Sequence, residues 1–190
     1  MTPLTPERTN RSQASWLLLF GCFLISFAGV VHNLPGKRRQ ILFLCTGNYY
    51  RSRMAEEIFN HAARQAGLDF SAASKALASP LNTIGNVGPI AQPAVSILES
   101  SGIPVRSRQR WPQTVSESDF ERADTVIALN LPEHQPMILK RFPQYAGRVI
   151  YWNVPDIGEM PIEKAFSLLK NQIQNLISDL KRNNPQRSFK

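Results

Sequence analysis

The residues in this chain best suited to chemistry are a cysteine and an arginine six positions apart, Cys45 and Arg51. An apolar run from Ile41 to Leu44 precedes the cysteine, and a pattern with helical periodicity begins near Ser52. This order predicts a buried strand, a short loop and the N-terminus of a helix. The loop between them can turn so that successive backbone N–H groups point inward and hold an anion. The thiol would lie beneath that anion as a nucleophile, and the guanidinium could bind two of its oxygens.

The loop residues themselves suit a tetrahedral dianion such as phosphate. The positive field of the loop and helix favours the thiolate form of Cys45, which is the nucleophilic form. Gly47 permits backbone angles that a side chain would block. Ser52 could donate a hydrogen bond to the sulfur, and Asn48 could brace the loop. The predicted phosphate-binding positions are Thr46, Gly47, Asn48, Tyr49, Tyr50 and Ser52.

This stretch resembles the signature of the low-molecular-weight protein tyrosine phosphatases. That family has a Cys-x-Gly-Asn-x-x-Arg-Ser core followed by Met-Ala-Glu, and the same residue types run here from Cys45 to Glu56. The resemblance covers about residues 40–182. It implies a two-step phosphate-ester hydrolysis, in which a cysteinyl-phosphate forms on Cys45 and is then hydrolysed by water. Neither a metal nor a cofactor is needed for this reaction.

Such a reaction also needs an acid that protonates the leaving oxygen. Val154-Pro155-Asp156 follows the last predicted strand, where the family keeps its general acid in an Asp-Pro pair. The resemblance therefore implies that Asp156 is the general acid, although Ile157 follows it here in place of proline. Two alternatives stay open: Asp156 caps the next turn, or Glu159 supplies the proton.

Several positions around the loop differ from the residues usual in the family. Tyr50 stands where the family has a second cysteine, so a disulfide within the loop cannot protect Cys45. Tyr49 stands where tyrosine-directed members have a small aliphatic residue and phosphoarginine-directed members have threonine. Arg53 replaces a proline, and we expect it to rim the pocket with the two tyrosines. The expected substrate is a phosphorylated protein, with phosphotyrosine first and phosphoarginine as the alternative, or a small phosphate ester.

Two other functions suit parts of the same pattern. A thiol-coupled arsenate reductase passes oxidation to further cysteines, and no cysteine follows Cys45, which disfavours this function. A membrane-tethered phosphate-binding module with little turnover would need the loop but not a competent acid. The scattered histidines and cysteines predict neither a metal site nor a disulfide framework. We expect the three histidines, His32, His61 and His134, to lie at the surface or at the edge of the core.

The remaining apolar patterns alternate between strands and helices. The predicted strands lie at 41–45, 70–74, 123–129 and 149–154, and the predicted helices at 52–67, 93–101, 116–122, 132–141 and 162–180. This order predicts an α/β three-layer sandwich with a four-stranded parallel sheet and the phosphate loop between the first strand and the first helix. Ligands of such sheets lie at the carboxyl ends of the strands, where Cys45 and Asp156 both fall.

Two segments between these elements predict no chemistry. Residues 78–91 are rich in Gly, Pro, Asn and Ser and predict a loop, with a turn at 85–88. Arg106, Arg108 and Arg110 alternate along an extended segment, and we expect them to form a solvated edge.

The net charge of +8 is carried by the two ends of the chain. Residues 1–40 hold five Lys/Arg and one acidic residue, residues 181–190 hold four Lys/Arg, and residues 41–180 hold thirteen of each sign. This distribution does not favour a nucleic-acid partner, and no platform of alternating basic and aromatic residues accompanies it. We expect a monomer.

The N-terminal forty residues divide by composition. A polar tail at 1–15 precedes a hydrophobic segment at 16–31, then a linker at 32–39, the phosphatase domain at 40–182 and a basic tail at 183–190. The sixteen uncharged residues at 16–31 would form a helix of about 24 Å, which is short for a bilayer of about 30 Å. An anchor, a cleaved signal and a start codon assigned too early are the alternatives. Because Lys37, Arg38 and Arg39 follow the segment, an anchored domain would face the cytoplasm.

Overall fold

A computed structural model describes residues 38–183. Its elements in chain order are β1 (Arg39–Cys45), α1 (Arg51–Gln65), β2 (Phe70–Ala76), α2 (Gln92–Ser100), α3 (Glu117–Arg122), β3 (Thr125–Ala128), α4 (Leu131–Arg141), β4 (Val149–Tyr151) and α5 (Ile162–Asn183), with 3-10 turns at Leu81–Thr83 and Pro143–Arg148. The predicted hydrophobic segment at 16–31 lies outside the described residues, as do the polar tail and nearly all of the linker and basic tail. Within 38–183, every helix is too short or too polar to span a membrane.

The sheet is parallel throughout, with the strand order β2-β1-β3-β4. This confirms the predicted α/β architecture. β1 is central: Ile41 pairs with Ala72 of β2 on one side and with Thr125 of β3 on the other. Alternate side chains of β1 enter two separate apolar clusters, Ile41, Phe43 and Cys45 on one face and Leu42 and Leu44 on the other. Because both faces are covered, β1 is a continuous apolar run and not an alternating one.

Helix α1 begins at Arg51, one residue before the predicted start, and packs on the first of these faces. Its apolar residues recur at helical spacing, and those that are buried are Met54, Ala55, Ile58, Phe59 and Ala63. The same cluster receives α5. The helix ends just before Gly67, whose φ of 64° reverses the chain, and the N–H of Leu68 then bonds back to the carbonyl of Ala63 at 2.9 Å.

The bounds of all four strands differ from the prediction, because pairing and not sequence pattern ends a strand. β1 begins two residues early, at Arg39, which already pairs with Phe70 of β2. β2 continues to Ala76, since every residue of β1 up to Cys45 has a partner there. β3 and β4 are shorter than predicted, since β3 pairs with β1 only at residues 125–128 and with β4 only at residues 126–128. Helix α4 continues through Pro136 without a break. Pro136 is exposed, and so is Pro132, whose carbonyl lacks its usual N–H partner one turn later.

The segment at 106–110 is a turn and not an extended edge, and the prediction is wrong for Arg110. Its Nη1 donates to Oε1 of Glu56 at 2.8 Å, and the Glu56 carboxylate is buried in α1. Arg53 lies beside this pair and is also buried. It does not rim the pocket as predicted, and donates instead to backbone carbonyls at distances of 2.6–3.0 Å, those of Pro89, Ser107 and Arg110.

Candidate active site

The site lies where β1 ends and α1 begins, at the carboxyl edge of the sheet. Cys45 is the last residue of β1 and is 3% exposed, and Arg51 is the first residue of α1. A cavity of about 150 Å³ opens between them. It is lined by residues of the phosphate loop, of the 78–91 loop and of the loop after β4, namely Cys45, Thr46, Gly47, Tyr49, Tyr50, Arg51, Ile84, Asn86, Asp156 and Ile157.

Within residues 38–183, the thiol of Cys45 has one polar neighbour at hydrogen-bond distance, the hydroxyl of Ser52. The Sγ–Oγ distance is 3.0 Å, and the Ser52 oxygen also accepts from Nδ2 of Asn48 at 3.1 Å. Since Asn48 supplies the proton in that second bond, the Ser52 proton is available to the sulfur. The Ser52 hydroxyl can therefore donate to the sulfur.

Asn48 stabilises the phosphate loop through buried hydrogen bonds of its side chain. Its φ of 49° is in the left-handed region, which asparagine tolerates better than most residues. The side chain is fully buried: Nδ2 donates to Ser74 at 2.8 Å, and Oδ1 accepts from the N–H of Gln113 at 3.1 Å. The side chains of Asn48 and Ser52 therefore lie beneath the cavity. Any contact of these two residues with phosphate comes from their backbone.

Gly47 does not have a left-handed backbone; its place in the loop is one of close packing. A Cβ at this position would lie 2.8 Å from Nδ2 of Asn86 and 2.9 Å from Cδ1 of Ile84. Asn86 also donates to the carbonyl of Gly47 at 3.1 Å. The segment at 78–91, which the sequence predicts only as a loop with a turn at 85–88, thus contacts the phosphate loop and forms one wall of the cavity.

Arg51 is 1% exposed and is held by two carboxylates. Its Nη1 and Nη2 donate to Oε2 and Oε1 of Glu133 at 2.6 and 2.9 Å, and Nη2 also donates to Oδ2 of Asp156 at 2.8 Å. Burial by itself lowers the pKa of Arg51. The hydrogen bond to Glu133, with the charges of Cys45 and Asp156, outweighs burial and raises that pKa above its ordinary value. The guanidinium is therefore a permanent cation at the floor of the site.

Glu133 is the functional residue that the sequence did not suggest. It lies in the first turn of α4, and it also accepts from the hydroxyl of Thr46. Burial alone raises the pKa of Glu133, but the nearby His134 ring N–H and the hydrogen bonds from Arg51 and Thr46 hold that pKa well below its usual range. One signal was available: an acidic residue in the first turn of a helix that follows a parallel strand lies at the edge of the sheet where ligands bind.

His134 is fully buried, so its predicted place at the surface or core edge is wrong. Its Nδ1 accepts from the backbone N–H of Asn130 at 2.9 Å, which leaves the ring proton on Nε2. That nitrogen lies 3.5 Å from Oε2 of Glu133. The ring of His134 thus lies beside the Glu133 carboxylate, which in turn binds Arg51.

Asp156 reaches the cavity from the loop after β4, and Glu159 does not. Oδ2 of Asp156 accepts from Arg51, and Oδ1 accepts from the N–H of Ile157 at 2.8 Å. Glu159 is exposed and is not among the residues that line the cavity. The geometry therefore favours Asp156 over Glu159 as the acid.

The two tyrosines of the loop both line the cavity. The Tyr49 hydroxyl donates to the carbonyl of Val87 at 2.6 Å, which fixes its ring against the 78–91 loop. Tyr50 is 5% exposed, and within residues 38–183 its hydroxyl has no hydrogen-bond partner. Burial, with the negative charge of Asp156 added to it, raises the pKa of Tyr50 to about 12. Its phenol is therefore neutral at ordinary pH.

Comparison with known proteins agrees with this geometry. Residues 40–186 match the family described as low molecular weight phosphotyrosine protein phosphatase. The chain belongs to this family. It is thus a cysteine-dependent phosphatase of the class that hydrolyses phosphate esters, as the loop signature predicted.

Two characterised relatives carry different names within this phosphatase family. A protein-arginine-phosphatase of Bacillus subtilis (strain 168) is 30% identical over 109 residues, which are 57% of this chain and 67% of that protein. A low molecular weight phosphotyrosine protein phosphatase of Schizosaccharomyces pombe is 33% identical over 95 residues, 50% of this chain and 58% of that protein. The second match spans less than two thirds of the relative.

Solved structures of the family superpose on the described domain. A low molecular weight protein tyrosine phosphatase from T. tengcongensis is 29% identical with a TM-score of 0.64, covering 75% of this chain and 99% of that one. An arginine phosphatase whose cysteine-to-serine mutant carries a phosphorylated active-site serine is 26% identical with a TM-score of 0.64, covering 77% of this chain and 98% of that one.

Proposed function

We propose that this chain is a protein phosphatase in which Cys45 is the nucleophile, Arg51 binds the phosphoryl group and Asp156 is the general acid. The observation that carries the proposal is that these three side chains line one cavity at the carboxyl edge of the sheet, with the Ser52 hydroxyl 3.0 Å from the sulfur. The solved relative with a phosphorylated active-site serine supports a covalent intermediate at the corresponding nucleophile.

In the first step the Cys45 thiolate attacks phosphorus, so that an S–P bond forms as the P–O bond of the ester breaks. Asp156 gives its proton to the leaving oxygen. The backbone N–H groups of the loop and the guanidinium of Arg51 hold the other phosphoryl oxygens, where charge is concentrated in the transition state. In the second step Asp156 takes a proton from water, which attacks phosphorus and releases phosphate and the thiolate.

The contacts of Asp156 connect substrate binding to its role as acid. Both of its oxygens accept hydrogen bonds, one from Nη2 of Arg51 at 2.8 Å and one from Ile157. A phosphoryl oxygen of the substrate competes for the same N–H of Arg51. Binding therefore frees the Asp156 carboxyl to face the leaving oxygen.

The walls of the cavity favour an aromatic leaving group, so phosphotyrosine on a protein is the first candidate substrate. Tyr49, Ile84 and Ile157 line the cavity, and Ile157 is 47% exposed at its mouth. Such apolar side chains gain free energy when a phenol ring covers them. Phosphoarginine is the second candidate because the B. subtilis relative is a protein-arginine-phosphatase.

Turnover of p-nitrophenyl phosphate by the full-length chain tests the proposal. We expect Cys45→Ser to lose at least about 10³-fold in kcat, and Asp156→Asn to lose about 10²-fold or more. A Cys45→Ser variant as active as the parent contradicts the cysteine mechanism. A wild-type chain that binds vanadate without turnover would instead be the phosphate-binding module. A panel of phosphotyrosine and phosphoarginine peptides then decides the substrate.

The hydrophobic segment at 16–31 supports a second proposal, that the enzyme is held at a membrane with its catalytic domain in the cytoplasm. The support is the run of sixteen uncharged residues followed by Lys37, Arg38 and Arg39. Fractionation of cells that make the full-length chain tests it. Recovery in the membrane fraction at full mass is expected, and recovery as a shorter soluble chain would show a cleaved signal.

A further inference from the structure

We propose that Glu133 is a positioning residue for catalysis, which holds one edge of the Arg51 guanidinium so that the other edge is presented to the phosphoryl group. The inference rests on the proposed role of Arg51 as the phosphate-binding group. It assigns a function to a residue outside the loop signature.

Arg51 and Glu133 form a bidentate ion pair with two hydrogen bonds. Both terminal nitrogens of Arg51 donate to Glu133, Nη1 to Oε2 at 2.6 Å and Nη2 to Oε1 at 2.9 Å. Paired parallel hydrogen bonds of this kind fix the plane of a guanidinium as well as its position. Arg51 is 1% exposed, so water does not compete for these bonds.

Glu133 is itself held in place from several sides. Its backbone N–H is capped by Oδ1 of Asn130 at 3.4 Å, at the N-terminus of α4, where a negative charge is stabilised. The hydroxyl of Thr46 donates to Oε1, and Nε2 of His134 lies 3.5 Å from Oε2. Only a third of the Glu133 side chain is exposed. A carboxylate held in this way is a fixed partner and not a mobile counter-ion.

The bonds of Arg51 divide into a fixed edge and an exchangeable one. Glu133 takes the edge formed by Nη1 and Nη2. Nη2 has a second N–H, which goes to Asp156, and Nε makes no hydrogen bond within residues 38–183. A phosphoryl group can bind two oxygens to the edge formed by Nε and Nη2 if Asp156 gives way. Glu133 does not have to move in this exchange.

Without Glu133, the guanidinium could rotate about its side-chain bonds toward Asp156. Asp156 cannot fix the plane of the guanidinium as Glu133 does, because only one of its oxygens contacts Arg51. A misplacement of a catalytic group by about 1 Å can cost about 10²-fold in rate. The loss should be larger in kcat than in phosphate affinity, because the loop N–H groups keep their share of the ground-state contacts while the share of Arg51 is weakened.

The test uses the full-length chain with Glu133→Gln and Glu133→Asp, and Glu121→Gln as a matched control. Gln removes the charge and one acceptor, whereas Asp keeps the charge but is one methylene too short for the bidentate ion pair. Glu121 is an exposed glutamate on α3, so the control loses the same charge away from the site. We expect kcat for p-nitrophenyl phosphate to fall by about 10- to 100-fold in both Glu133 variants. KM should change by less than kcat, and Glu121→Gln should match wild type.

A double variant separates positioning from a purely structural role. Lysine has no Nη1–Nη2 edge, so in an Arg51→Lys background Glu133→Gln should cause no further loss. The readout is protection of Cys45 by inorganic phosphate against alkylation by iodoacetamide, which does not require turnover. An equal loss of protection from Glu133→Gln in both backgrounds would mean that Glu133 only supports the fold, and would overturn the proposal.

These readouts keep the two proposals apart. A wild-type chain without phosphatase turnover contradicts the proposed function. The protection of Cys45 by inorganic phosphate can still be compared between wild type and the Glu133 variants, so the positioning role is tested in that case too. Equal kcat and equal phosphate protection in wild type and both Glu133 variants would overturn the positioning role while leaving Cys45 chemistry intact. Thermal unfolding of each variant confirms that the protein compared is folded.

Discussion

Arg51 and Arg53 lie two residues apart in the first turn of α1, and the structure uses them in different ways. They are 1% and 0% exposed, so both are buried cations. Arg51 is paired with the carboxylates of Glu133 and Asp156, whereas Arg53 donates to carbonyl oxygens and to Ser107. The pKa shows the contrast. Burial, together with the charge of Arg110, lowers the pKa of Arg53 to about 10, while that of Arg51 is raised.

The difference shows how one helix turn serves both chemistry and scaffold. Arg51 points to the cavity, where one of its partners can be exchanged for a phosphoryl group. Arg53 points to the other side and joins the loops at Pro89, Ser107 and Arg110. The loop that contains Ser107 and Arg110 continues to Gln113, whose backbone N–H donates to Oδ1 of Asn48 in the phosphate loop. Changes at the two arginines should therefore affect different properties.

The largest effect is expected from Arg51→Lys. A lysine cannot present two parallel N–H groups, so transition-state stabilisation is lost, and kcat/KM for p-nitrophenyl phosphate should fall by about 10²- to 10³-fold. Steady-state kinetics of the full-length chain measures it. A variant within about threefold of wild type would show that Arg51 is not the phosphate-binding group.

Arg53→Met should act on stability instead. The carbonyls of Pro89, Ser107 and Arg110 would lose a buried donor, and each such loss costs about 1–3 kcal/mol before relaxation. We expect the free energy of unfolding in urea to drop by about 2–4 kcal/mol. The folded fraction should keep kcat within about tenfold of wild type. A stable variant with a loss of kcat as large as that of Arg51→Lys would contradict the division between the two arginines.

Glu133 should make stability depend on pH in the acid range, a smaller effect. Its pKa is lowered in the folded protein from an ordinary value of 4.5, so the folded state binds its proton less readily than the unfolded state. The stabilisation is present above 4.5 and is lost as pH falls through the folded value. Urea unfolding of wild type and Glu133→Gln should therefore differ by about 1–2 kcal/mol near neutral pH. The difference should shrink as pH falls below the ordinary value, and a difference independent of pH would contradict this assignment.

The first strand, the phosphate loop and the first helix could be predicted from the sequence because their signals are local. The apolar run ending at Cys45, the spacing to Arg51 and the helical pattern after it lie within a few residues of one another. The order of strands and helices followed in the same way. The ends of β3 and β4 did not, because each depends on a partner strand elsewhere in the chain.

The parts of the site that sequence reasoning missed depend on contacts between distant residues. Glu133 is 82 positions from Arg51 in the sequence. Arg110, whose carbonyl accepts a hydrogen bond from Arg53, is 57 positions from Arg53. The position of Glu133 in the first turn of a helix after a parallel strand was a signal for the ligand-binding edge, but no local pattern identifies Arg51 as its partner. The close approach of Asn86 and Ile84 to Gly47 was likewise invisible, because both residues lie in a loop more than thirty positions away.

The claim that Cys45 carries the phosphoryl group is tested most directly by trapping it there. The Asp156→Asn variant lacks the base for the second step, so p-nitrophenyl phosphate, with its good leaving group, should load the enzyme faster than water unloads it. Acid quenching followed by mass spectrometry should find the mass of one phosphoryl group on the peptide that contains Cys45. The same peptide from Cys45→Ala, Asp156→Asn should be unmodified. Turnover without any phosphoryl group on Cys45 would contradict the mechanism.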